Sequence, residues 1–91
     1  MSVTVKIPTQ LRAAAEGATE AQLDGATVQD VLDGLFDRFG ELRERISDED
    51  GSLRRFVNVY LSGEDIRFLD GLQTPVTDGA ELTILPAVAG G

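Results

Sequence analysis

The chain has no cysteine and no histidine among its 91 residues. Without cysteine there can be no disulfide, no thiolate nucleophile and no thiolate-held zinc or iron–sulfur cluster. Without histidine, the side chain that most often serves as a general base near neutral pH is missing too. No glycine-rich phosphate-binding motif occurs, so the chain is not expected to hold ATP itself. There is also no apolar run of about 18 residues, the length a membrane-crossing helix needs. Met1-Ser2-Val3 leads straight into a strand pattern with no basic and apolar leader, so a cytoplasmic protein with no membrane partner is expected. Basic residues are scarce, 8 against 16 acidic for a net charge of −8. Such a surface repels a phosphate backbone, and nucleic acid is not an expected partner. An independent enzyme is the reading these absences leave weakest.

What is present is the composition of an ordinary folded domain, with 42% hydrophobic and 26% charged residues. The length suits one domain with a modest core. Ser2 to Ile7 alternate, Val3, Val5 and Ile7 on one face against Ser2, Thr4 and Lys6 on the other, the pattern of a half-buried strand closed by Pro8. Thr9 to Gly17 reads as a long hairpin connection with one turn of helix, and Ala18 to Leu23 as a second strand before an Asp24-Gly25 turn.

From Thr27 to Phe39, Val28, Val31, Leu32, Leu35, Phe36 and Phe39 recur at spacings of three and four, which predicts an amphipathic helix laid on a sheet. Thr27 suits its N-cap, Asp30 three residues on completes a short capping box, and Gly40 suits the position just past its end. The acidic face of Asp30, Asp33 and Asp37 is read as a solvated surface. Glu41 to Ile46 adds a turn of helix. The acidic loop Ser47 to Ser52 lacks the length and late glutamate of a calcium loop, since Leu53-Arg54-Arg55 follows; no metal is expected.

Phe56 to Leu61 is a strong strand with Val57, Val59 and Leu61 toward the helix. Ser62 to Asp65 is read as a turn, Ile66 to Leu69 as a short return strand, and Leu82 to Leu85 as the last strand, stopped by Pro86. The order strand, strand, helix, strand, short strand, strand points to an α+β domain whose first and last strands pair centrally and parallel, with one main helix on one face of a mixed sheet. This is the β-grasp, or ubiquitin-like, arrangement. One helix covers one face only. Phe56, Tyr60 and Leu85 fall on the other, as a partner-binding surface or beneath a cover formed by residues 71–77.

After Pro86 come Ala87, Val88, Ala89, Gly90 and Gly91, with no side chain larger than valine. Two closing glycines let a chain end thread a narrow cleft, because glycine has no Cβ to clash. The expected organisation is a domain over residues 1–86 and a flexible tail over 87–91 that enters a partner's active site.

Three runs resemble the MoaD/ThiS family of ubiquitin-like sulfur carriers: Val3 to Arg12, Arg55 to Tyr60, and Asp78 to the diglycine Gly90-Gly91. The run from Ile66-Arg67-Phe68 to the Pro-Ala-Val-Ala-Gly-Gly ending is most similar to CysO-type carriers of thiocarboxylate-dependent cysteine biosynthesis. The resemblance implies that an adenylating enzyme uses ATP to activate the Gly91 carboxylate, and that a sulfur nucleophile then leaves a thiocarboxylate. The carrier would bind no cofactor and act as a monomer. The acceptor would be a homologue of pyridoxal-phosphate-dependent cysteine synthase, and a zinc metallopeptidase would release the product. Two alternatives share the activation step: a ubiquitin-like modifier conjugated through Gly91, and the small subunit of molybdopterin synthase, from whose usual Pro-Pro-Val tail Ala87 departs.

Overall fold

The computed structural model describes residues 2–54 and 57–86. Five strands, β1 (Ser2–Lys6), β2 (Glu20–Asp24), β3 (Val57–Leu61), β4 (Glu64–Asp65) and β5 (Glu81–Pro86), form one sheet in the order β2-β1-β5-β3-β4. β1 and β5 are the central parallel pair, as their alternation implies, with Val5 opposite Leu82 and Lys6 opposite Thr83. The other pairings are antiparallel.

The main helix, α1 (Val28–Arg38), buries Val28, Val31, Leu32, Leu35 and Phe36. They meet Val3, Val5, Val59, Leu82 and Ile84 from one face of the sheet in a single apolar cluster. Thr27 caps the helix as expected, its Oγ1 accepting from the Asp30 N–H at 3.2 Å. The return bond of the capping box is displaced by one residue: Asp30 Oδ2 accepts from the Ala26 N–H at 3.2 Å. Gly25 allows this tight entry, since a Cβ there would lie 3.0 Å from the Val31 nitrogen.

Several local expectations are corrected. Gly40 does not end α1 in a left-handed cap; Phe39 closes it through its N–H to the Leu35 carbonyl at 2.8 Å, and Gly40 opens a second helix, α2 (Gly40–Ile46). Leu42 and Ile46 are fully buried, so tertiary packing rather than length sustains this seven-residue helix. Residues 9–15 form two 3-10 turns rather than one helical turn, and the second strand is shifted to Glu20–Asp24.

The return strand after β3 is Glu64–Asp65, not Ile66–Leu69. Ser62 and Gly63 take positive φ values of 49° and 90°, the left-handed pair that makes a two-residue hairpin turn. Asp65 then accepts from the Arg67 N–H at 2.9 Å and bends the chain into a 3-10 turn, Ile66–Phe68. Pro86 belongs to β5 and pairs with Val57. It is tolerated where β1, whose register ends at Thr83, no longer flanks the strand.

Candidate functional site

The sheet face away from the helices is built by the even members of β1 and the odd members of β5. Partner residues line up in one row across all five strands, Glu20, Lys6, Thr83, Tyr60 and Asp65. Two residues further along β5 stands Leu85, opposite Asn58 and one residue before the strand ends. Leu85 is 45% exposed, whereas Leu82 and Ile84 on the other side of the same strand are buried.

Residues 71–77 do not cover this face. The Val28 N–H donates to the Thr74 carbonyl and the Val76 N–H to the Ala26 carbonyl, both at 3.0 Å. That segment is therefore pinned at the start of α1. Tyr60, half-buried, and Leu85 stand on the outer face where the sequence puts them. Phe56 and the tail residues Ala87, Val88, Ala89, Gly90 and Gly91 lie outside the described residues.

Polar pairs brace the face around Leu85. Lys6 Nζ lies 2.8 Å from Glu20 Oε2, and the Glu20 hydrogen bond and charge raise the lysine above its ordinary value. Across the sheet, Arg67 Nη2 donates to Asn58 Oδ1 and to Asp65 Oδ2 at 3.1 Å. The Arg67 hydrogen bonds hold the Asp65 carboxyl below the usual carboxylate range. Next to this clamp Phe68 is 87% exposed. Sequence reading missed it, because in a strand Phe68 would share the buried side of Ile66, whereas a 3-10 turn has about three residues per turn and separates the two.

Concave sites offer little chemistry. Among the described residues a groove of ≈ 480 Å³ lies between α1, α2 and the 47–51 loop. No group of three or more acidic, cysteine or histidine side chains that could hold a metal occurs among the described residues. No helix among them is long and apolar enough to cross a membrane. Asp50, one of the loop carboxylates, accepts from the Ser52 N–H at 3.0 Å. Among the described residues the arrangement is an open sheet face braced by polar pairs.

A five-stranded mixed sheet with a central parallel pair, packed on one face by helices, defines a β-grasp protein of the ubiquitin-like kind. The ThiS family model matches residues 5–91. The sulfur carrier protein CysO of Mycobacterium tuberculosis is 45% identical over 93 residues, covering 100% of both chains. A chain of the Amycolatopsis orientalis BexX/CysO complex superposes with a TM-score of 0.90 at 47% identity, covering 98% of this chain and 99% of that one. Small archaeal modifier protein 1 of Methanosarcina acetivorans superposes with a TM-score of 0.85 at 40% identity, over 99% of this chain and 96% of that one. The chain belongs to the ThiS family of sulfur carriers, and within it is of the CysO type, a carrier rather than an enzyme.

Proposed function

We propose that Gly91 carries the sulfur: its carboxylate is adenylated by an ATP-dependent partner and converted to a thiocarboxylate that supplies sulfur for biosynthesis, in the first place of cysteine. The observation that carries this reading is the full-length match to CysO, together with a family match that runs through Gly91. A carboxylate is a poor electrophile; with AMP as leaving group its carbon accepts a sulfur nucleophile. The chain's own part is mechanical. Residues 1–86 form the handle, and Ala87, Val88, Ala89 and Gly90 form a thin arm that enters the partner's active site. Leu85 and Tyr60, with Phe56, offer the surface that partner grips.

The activating enzyme is one partner; a pyridoxal-phosphate-dependent cysteine synthase homologue is the acceptor and a zinc metallopeptidase releases the product. The carrier itself is a cytoplasmic monomer that holds no cofactor. Deleting Gly91, or replacing Gly90→Phe, should abolish sulfur loading by the activating enzyme while leaving the far-ultraviolet circular dichroism unchanged. Loading retained by either variant would contradict the reading.

The likeness to a small archaeal modifier protein favours one second reading, conjugation of Gly91 to lysines of other proteins. It shares the activation step. Branched peptides bearing the Gly-Gly end in a cell digest would establish it.

A further inference from the structure

Phe68 is 87% exposed, and Leu69 beside it is exposed as well. An aromatic ring held in water adds nothing to the core, yet this one stands on backbone fixed from both sides. Before it, Ile66 is buried in the core, and the Asp65 carboxylate accepts from the Arg67 N–H at 2.9 Å and from Arg67 Nη2 at 3.1 Å. After it, the Leu69 N–H donates to the Ile66 carbonyl at 3.0 Å. The Asp70 N–H then donates to the hydroxyl of the buried Thr74 at 3.0 Å. Backbone that is already fixed has little freedom to lose when a partner covers it. Aromatic side chains are also among those that most often dominate a protein contact once buried.

The turn continues the outer face of the sheet. Arg67 reaches back to Asn58, whose β5 partner is Leu85, so Phe68 follows directly on a residue laid across that face. The border of the turn is acidic. Glu64 and Asp70 are exposed, while the Arg67 charge is taken up by Asp65. The whole chain carries a net charge of −8. Like charge disfavours a second copy of the chain at this place, and charge complementarity selects an apolar pocket bordered by arginine or lysine.

We propose that Phe68 is an anchor for the activating enzyme, seated in an apolar pocket of that enzyme whose basic border meets Glu64 and Asp70. This extends the grip on Leu85 and Tyr60 to the β4 end of the sheet, and it rests on the reading of an activating partner given above.

Calorimetric titration of the full chain into its cognate adenylating enzyme, with neither ATP nor sulfide present, tests the proposal. Phe68→Ala should weaken binding at least about thirtyfold, the loss that marks a dominant contact, while Tm moves by no more than about 4 °C, as for a surface substitution. Phe68→Leu should recover part of the affinity. Neutralising the border in Glu64→Gln/Asp70→Asn should weaken binding about two- to tenfold and flatten its dependence on salt. Phe68→Ala binding as tightly as the parent would overturn the proposal, and so would a salt dependence that the double variant leaves unchanged. Parent dimers in sedimentation that vanish in Phe68→Ala would overturn it too, by assigning the ring to a second copy, as would a loss of binding confined to the sulfur acceptor. Because no chemistry occurs in the titration, these outcomes do not depend on whether Gly91 takes the sulfur.

Discussion

Leu82 and Leu85 stand three residues apart on β5 and should behave as different residues when truncated. Leu82 is fully buried and pairs with Val5 on β1 and Leu61 on β3. Leu82→Ala removes buried methyl groups from the centre of the sheet and leaves a cavity that flanking strands cannot collapse into, a loss of about 3–5 kcal/mol. For a domain of this size that corresponds to a fall in Tm of about 12–24 °C, using about 4–8 °C per kcal/mol at the low end of that loss. Leu85 already exposes nearly half its surface at 45%. Its truncation forfeits only part of the about 1.5–3 kcal/mol that full burial of a leucine provides, leaving a loss of about 1 kcal/mol or less. Thermal and urea unfolding followed by far-ultraviolet circular dichroism would measure both. Equal losses for the two variants would refute the assignment of faces on β5, and with it the outer surface on which the proposed partner contact depends.

Leu85→Glu should lower Tm by no more than about 4–8 °C and weaken binding to the activating enzyme at least about tenfold, the effect of charging an apolar contact; calorimetric titration showing unchanged affinity would place the contact elsewhere. Thr27→Ala removes the acceptor for the Asp30 N–H and should cost about 1 kcal/mol, read as a Tm lower by about 4–8 °C. The Asp65 carboxyl is depressed below 3.8 by the hydrogen bonds from Arg67. A depressed folded value means that its contribution is fully present above the ordinary carboxylate range and is lost as pH falls through the folded value. The Tm gap between the parent and Asp65→Asn should therefore be widest near pH 7 and narrow as pH falls below the ordinary carboxylate range. A gap independent of pH would show that the carboxylate charge contributes nothing there.

The two central strands and the main helix were legible because their packing is periodic. In β1 and β5 every second residue meets the same helix, and in α1 every third or fourth meets the same sheet, so burial is written directly into the order of residues. Elements held by single contacts were not. The helical turn expected over Glu41 to Ile46 is present, but Gly40 opens it instead of capping α1, because Leu42 and Ile46 bury themselves against the core. Ile66 and Phe68 have the spacing of a strand, yet the Asp65 side chain turns the backbone and parts them. That bend sends Phe68 into solvent, a feature invisible to an alternation rule. On the outer face Tyr60 and Leu85 followed from the parity of their strands. The clamp of Arg67 on Asp65 and Asn58 joins three segments and has no signature in spacing.

The central claim is that Gly91 is the atom-bearing end of the carrier. Incubating the full chain with its cognate adenylating enzyme, ATP and a sulfide source, and then weighing it intact, tests that claim most directly. The account predicts a mass gain equal to replacing one oxygen by sulfur, located at Gly91 by fragmentation and absent without ATP. An unchanged mass with a demonstrably active enzyme, or sulfur found at any other residue, would contradict it.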